Sequence, residues 1–377
     1  MSLLPSFFMV NLGFAPLPPF ITSALSEIEV ETSVEGAAMF RLHVELSRTT
    51  TGDLDVLVFD LFRPMMPVRI SLSFGLGLPL TLINGYIRDV QIHVGSEPGS
   101  ARLEVVGADA LGTLMGQVQT AFTWPNMPDD AIASAIFSKY AILPLAEPTP
   151  LLRTTLDTTT TQRVRDNAFL EQLASKYGYQ LYIQPDPLAG FNVGHFHPPI
   201  TVAPAQGVLS IDFGSQSNLR SFQISNQMLK PATVLTSYVD PHTRMPVPVF
   251  ASTPTELPMG LEPSIARMMP PAIEMDEVGD ASSPAEKLVR AFGRVTQSNR
   301  TVSANGEVDG LKFGRPLQPG LPVLVRGAGR QHSGLYSVTS VTHRISRDAY
   351  TQSFQAMRNA VGLTGAEVFI DPLAPVT

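Results

Sequence analysis

The sequence predicts a mainly β chain with some α, an α+β fold in which two strand-rich ends, each spaced like a small barrel or sandwich, flank a helix-containing middle. Three observations carry this. Short runs of alternating apolar and polar residues recur at both ends, separated by clusters of Gly, Pro, Ser and Thr. Two stretches in the middle switch to helical spacing. The ends also resemble each other loosely: "PVRISLSFG", "NGYIRDVQIHVG" and "ARLEVVGAD" run parallel to "PVLVRGAG", "SGLYSVTSVTHRIS" and "YTQSFQAMR", with a slip of one residue between the glycine and the histidine.

Taken in order, residues 1–20 read as an N-terminal arm, apolar and broken by Pro5, Pro16, Pro18 and Pro19. The arm either docks on a partner subunit or covers this chain's own core. It has no Lys or Arg before Arg41, so it lacks the charged start of a signal peptide, and its prolines interrupt any membrane-spanning helix. Residues 21–120 form the first strand-rich domain. Residues 121–240 form a connecting domain, in which "WPNMPDDAIASAIFSKY" places Pro128 near a helix start, Asp129 and Asp130 in its positive first turn, and Ile132, Ile136, Phe137 and Tyr140 on one face.

The connecting domain also carries "RDNAFLEQLASKYGYQLYI", from Arg165 to Ile183. Asp166 or Asn167 can cap a helix whose buried face is Phe169, Leu170, Leu173, Ala174 and Tyr177, with Glu171, Gln172 and Lys176 facing away. Gly178 stops the helix, and Tyr179, Leu181 and Ile183 then alternate with Gln180, Tyr182 and Gln184 as a strand. Residues 241–282 are a Pro- and Met-rich extended connection. "SPAEKLVRAFGRV" has a capping box, with Ser283 as cap, Pro284 first in the helix and Glu286 reaching back. It opens the second strand-rich domain, 283–361, which is followed by a tail, 362–377.

At 377 residues, 44% hydrophobic and 16% charged, the chain is long and apolar enough for two or three folded domains. Lys plus Arg number 26 against 33 Asp plus Glu, a net charge of -7, so neither specific nucleic-acid binding nor attraction to an anionic membrane is expected. The absence of cysteine removes disulfides, thiolate metal sites and thiol nucleophiles together.

Enzyme signatures are missing: there is no HExxH, GxSxG or GxxxxGK[ST], and the GxG pairs at Gly75 and Gly327 read as hairpin turns. His195 and His197 share a strand face without an evident third metal ligand, so no metal or cofactor is expected. Asp157 and Asp166 can be imagined as an acid/base pair, although solvated or capping carboxylates explain them as well. The sequon at Asn299 matters only in a glycosylating pathway, and His343 reads as an ordinary sheet residue.

In their order, these pieces resemble the hub proteins of contractile injection machines: the phage late control protein D family and the hub portion of VgrG-type spike proteins. One set of matching residues is Asp166, Phe169, Leu170, Leu173, Ala174, Gly178, Tyr179 and Tyr182. The other is Pro319, Gly320, Gly334, Tyr336, Val338, Val341, His343, Tyr350 and Phe354. The resemblance implies two similar β-barrels per chain and a homotrimer whose six units form a ring that adapts a sixfold inner tube to a threefold spike. It also implies contacts with tube or tube-initiator proteins and other baseplate proteins, assembly in the bacterial cytoplasm, and a place in a tail baseplate or injection particle. Because the sequence lacks the spike-bearing extension of some relatives, the spike is expected to be a separate protein, toward which the tail could reach. The alternatives are a cell-wall hydrolase that uses Asp157 and Asp166, and a carbohydrate-binding adhesin that uses scattered Tyr and Trp124.

Overall fold

The computed structural model describes residues 6–75, 77–97, 99–149, 160–240, 242–267, 272–275, 284–347 and 349–369. It is mainly β, dominated by a 13-stranded sheet with a few helices.

Besides the two-residue strand Ala15–Pro16 that pairs with β1 at its edge, the sheet begins with β1 (Ser6–Leu12), β2 (Leu25–Ser33), β3 (Met39–Glu45), β4 (Pro67–Phe74), β5 (Leu80–His93) and β6 (Arg102–Ala108). They lie side by side in the order β2-β3-β6-β5-β4-β1. Their alternation decides which side is buried: Ile28 and Val30, Phe40, Leu42 and Val44, and Leu103 and Val105 turn inward onto one core. Burial of each such side chain stabilises the fold by about 1.5–3 kcal/mol. Residues 6–12 are therefore not an arm. They pair along their whole length with β4, and Val10 enters the core.

The middle begins with β7 (Phe122–Trp124), α1 (Asp129–Lys139), β8 (Leu143–Ala146), β9 (Thr160–Gln162), α2 (Asp166–Tyr177), β10 (Gln180–Pro185) and β11 (Asn192–His197). Strands β10, β11 and β8 form a small sheet in that order, with α1 and α2 sharing its core. Strand β10 is buried on both faces, so its Gln180 and Tyr182 are covered as fully as Leu181 and Ile183.

Strands β12 (Val208–Ser210) and β13 (Leu219–Asn226) belong to the second unit, although the sequence placed them in the connecting domain. An insertion then follows: β14 (Ala232–Val239), β15 (Pro246–Ala251), β16 (Ala272–Met275) and the helix α3 (Pro284–Ser298). Ala291 and Val295 of α3 pack on Val234 and Ala251 of this small sheet, so α3 does not open the second barrel. Ser283, the expected cap of α3, lies outside the described residues. Strands β17 (Val302–Asp309), β18 (Pro322–Arg326), β19 (Gly334–Ser346) and β20 (Tyr350–Arg358) complete the second unit.

The second unit runs β13-β17-β20-β19-β18-β12. Numbered by chain order within each unit, both follow 2-3-6-5-4-1. The likeness reaches single residues. A bulge follows the first residue of each second strand, at Ser26 and Arg220, and another interrupts each fifth strand, at Arg88 and Thr339. Each fourth strand opens with a proline, Pro67 or Pro322, whose partner, Tyr86 or Ser337, lies two residues before that fifth-strand bulge. Two differences remain: the first strand runs antiparallel to the fourth in the first unit and parallel in the second, and only the first unit has a register shift between its fourth and fifth strands, at Ile70/Ser71.

Candidate functional site

The first group of motif residues builds a clamp between two helices. The stretches of α1 and α2, "DDAIASAIFSKY" and "DNAFLEQLASKY", have the same frame: Asp at the start, Lys-Tyr at the end, then a left-handed residue, then a strand. The charged ends meet reciprocally. Lys139 Nζ and Tyr140 Oη each lie 2.7 Å from Asp166 Oδ2. Lys176 Nζ lies 2.7 Å and Tyr177 Oη 2.5 Å from Asp129 Oδ2. Each carboxylate also sits at a helix N-terminus, where the macrodipole favours negative charge.

Two expectations change here. Arg165, not Asp166, is the N-cap residue of α2, and no side chain caps that end. Lys176 does not face solvent: its side chain is 6% exposed, and it also approaches Glu286 of α3 at 3.6 Å. The reason is tertiary, since α1 and α3 supply buried carboxylates exactly where an isolated helix would meet water. The paired helix frame was visible in the sequence as a repeated 12-residue pattern, and helical periodicity alone does not reveal it.

Burial pushes the Asp166 carboxyl upward, but hydrogen bonds from Lys139, Tyr140 and Gln162 outweigh it and hold the group below the ordinary carboxylate range. A carboxylate so held keeps its charge and fits a clamp better than a proton donor. Asp157, its imagined acid/base partner, lies outside the described residues.

The residue after each Lys-Tyr pair has positive φ, 69° at Gly178 and 56° at Ala141. Glycine adopts this conformation freely, whereas an L residue pays for it in contact between Cβ and the carbonyl oxygen. Ala141→Gly is expected to raise stability by about 0.5–1 kcal/mol. Urea unfolding measures it, and an unchanged or lowered midpoint contradicts the assigned cap.

The second group of motif residues is split between three places. Gly320 meets the first group directly: a Cβ there would stand 2.5 Å from the Tyr182 hydroxyl, so only a glycine lets β10 reach the second unit. Behind Tyr182, the His195 ring stacks at 4.3 Å, and His195 Nδ1 faces His197 Nε2 at 3.1 Å. The two imidazoles bond to each other instead of diverging toward an ion. Burial, with the neighbouring His197, lowers His195 to about 3.

Gly334 and Tyr336 surround Arg358, which the sequence reading missed. Its guanidinium lies over the Tyr336 ring and donates to the carbonyls of Met259, Ser333 and Gly362. The start of the tail is thereby fixed to the second unit, and residues 370–377 lie outside the described part.

His343 and Tyr350 sit where the two units join. Beyond its bulge, β19 pairs with β2 from Ser340↔Ser33 to Ser346↔Glu27, fusing both units into one sheet. His343 lies opposite Val30, and its Nδ1 is 2.9 Å from the Tyr350 hydroxyl. Burial lowers His343 to about 3. Ile345 and Tyr350 enter the core of the first unit, so the joint is apolar inside, while Glu29 pairs with Arg41 and Arg344 outside.

The repeat leaves the other half of this joint open. Strand β5 corresponds to β19, yet its end from Asp89 to His93 pairs only with β6. Val90, Ile92 and Val94, which match the buried Val341, His343 and Ile345, are 36%, 48% and 53% exposed. Strand β13 corresponds to β2, yet it pairs only with β17 and ends the sheet. An apolar strand end and an unpaired strand edge are thus both left available.

No family model and no curated protein matches the sequence. Solved structures do match in fold. A tail protein from Neisseria meningitidis MC58 aligns with a TM-score of 0.64 at 14% identity, over 94% of this chain and 97% of that one. The 43 kDa tail protein of prophage MuSo2 from Shewanella oneidensis aligns at 0.66 and 11% identity, over 95% and 100%. The E. coli c3393 protein, a component of the type VI secretion system with structural similarity to the T4 bacteriophage tail proteins gp27 and gp5, aligns at 0.56 and 14%, over 93% and 76%. The chain therefore shares its fold with tail and secretion-system proteins across nearly its whole length.

Proposed function

We propose that the chain is a structural hub of a contractile tail or injection machine: a homotrimer whose six units form a ring between a sixfold tube and a threefold spike, with no catalysis. The half-used joint carries this reading. Inside the chain, the fifth strand of the second unit pairs with the second strand of the first. The same pairing between copies would set β5 of one chain against β13 of the next. Units would then alternate head to tail, and such a heterologous contact closes into a ring if its rotation allows. Three chains give six units. The fold likeness to tail proteins supports the setting. A separate spike protein, tube proteins and other baseplate proteins are the proposed neighbours, with the tail directed toward the spike.

Carrying the internal register over puts Ile92 opposite Ile224, as His343 stands opposite Val30. The native chain is expected to sediment as a trimer and to appear as a ring in electron micrographs. Ile92→Asp and Ile224→Asp should each yield folded monomers with unchanged far-UV circular dichroism, while Ile92→Val remains trimeric. A native chain that stays monomeric both in solution and in its particle, or aspartate variants that still form rings, would overturn the joint.

A further inference from the structure

The turn that leads into the fourth strand is the same in both units. In the second, Gly320 N donates to Val338 O at 2.8 Å and Val338 N to Leu321 O at 3.2 Å; in the first, Met65 N donates to Ile87 O at 2.8 Å and Ile87 N to Met66 O at 3.0 Å. Each turn begins with a left-handed residue, with φ of 83° at Gly320 and 63° at Met65, two positions before Pro322 or Pro67. Met65 is thus the first unit's counterpart of Gly320.

Inside the chain, the turn of the second unit is covered. Just past the last strand pair of the joint, Ser340↔Ser33, Val34 N donates to Thr339 O at 2.9 Å, and Val34 is 0% exposed. A Cβ on Gly320 would stand 3.6 Å from Val34 Cγ1 and 2.5 Å from the Tyr182 hydroxyl, so these two side chains fill the space over the glycine. The first unit keeps a methionine at this position although the left-handed conformation disfavours any residue with a Cβ. Strain retained in this way points to a role for the side chain.

The repeat also names what should lie beside it. Since Val30 corresponds to Ile224, Val34 corresponds to Met228, just past the end of the open edge strand β13. Met228 is 62% exposed, where its counterpart is wholly buried. Two unbranched, polarizable thioether chains suit an irregular gap between strand ends.

We infer that Met228 of one chain packs on Met65 of the next copy, beyond the last strand pair of the open joint. The contact rests on the proposed joint and adds what fixes its register. A slip of two residues between β5 and β13 keeps every side chain on its own face, so alternation does not forbid it. The methionine pair does, because only one register brings the two together.

The chain has no cysteine, so Met65→Cys and Met228→Cys combined in one chain provide the test. Oxidation of the assembled protein with copper phenanthroline should give covalent dimers and trimers on a non-reducing gel, and neither single variant should cross-link. Met228→Ala should raise the subunit dissociation constant about tenfold in sedimentation, with unchanged far-UV circular dichroism. If the native chain forms no ring, the contact falls together with the joint. If a ring forms and Ile92→Asp abolishes it, yet the double variant yields no covalent species or Met228→Ala assembles as tightly as the native chain, the joint stands and the methionine contact alone is overturned.

Discussion

Replacing Arg358 with methionine is expected to destabilise the fold by about 3–5 kcal/mol, the range in which loss of a buried polar network stands out from ordinary substitutions. Arg358 is 1% exposed, and no carboxylate pairs with it among the described residues. Its charge is instead spread over backbone carbonyls: Nη1 donates to Ser333 at 3.0 Å, Nε and Nη2 reach Met259 at 3.2 and 3.0 Å, and Nη2 also reaches Gly362. Burial lowers the pKa of the guanidinium, yet the group remains cationic because arginine starts so high. Methionine fills the space and leaves three carbonyls without donors. Lysine should fall between, since one ammonium cannot span the same fork. Neighbouring Asn359 holds the same loop through Met259 N at 2.8 Å and Leu257 O at 2.9 Å, so the loss should release residues 257–259 first. Thermal unfolding should drop by on the order of 10 °C, with new proteolytic cleavage in that loop. A change below about 1 kcal/mol would show that water replaces the guanidinium without cost.

The second large effect is expected at Lys176, where methionine should cost about 3–5 kcal/mol by removing the cation from buried Asp129, which keeps the Tyr177 hydroxyl, while Glu286 keeps Arg290 at 2.8 Å. Both carboxylate side chains are 2% exposed. Lys139, its counterpart at the other end of the clamp, is 45% exposed, and Asp166 keeps Tyr140 and Gln162 as donors. Lys139→Met should therefore cost only about 1 kcal/mol. This asymmetry separates desolvation from simple ion-pair counting. Lys176→Met combined with Asp129→Asn should recover part of the loss in a double-mutant cycle. Equal effects at both lysines would mean that the two ends of the clamp share one environment.

Much of the fold was legible along the chain. The helix stripes of α1 and α2 are buried as their spacing predicts, through Ile132, Ile136 and Phe137 in one and Phe169, Leu170 and Leu173 in the other. The pairing of distant strands was not. β1 reads as an arm because its apolar run contains no internal sign of β4, and β12 and β13 read as connecting domain because an insertion separates them from β17. Arg358 escaped notice for a related reason: a single basic residue at a strand end looks solvated until Met259 and Gly362 close over it.

By itself, the order of residues determined the β-dominated class, the helix and strand periods, the chain reversal at Gly178, and the faint likeness of the two ends. Local sterics and side-chain alternation fix such features, and both act over a few residues. The tertiary structure alone decided that the ends share one strand order and matching bulges, that Lys176 is buried, and that β19 spends its edge on β2 while β5 and β13 keep theirs free. Hydrogen bonding between strands joins residues hundreds of positions apart, and no local pattern records which partner a strand edge will meet.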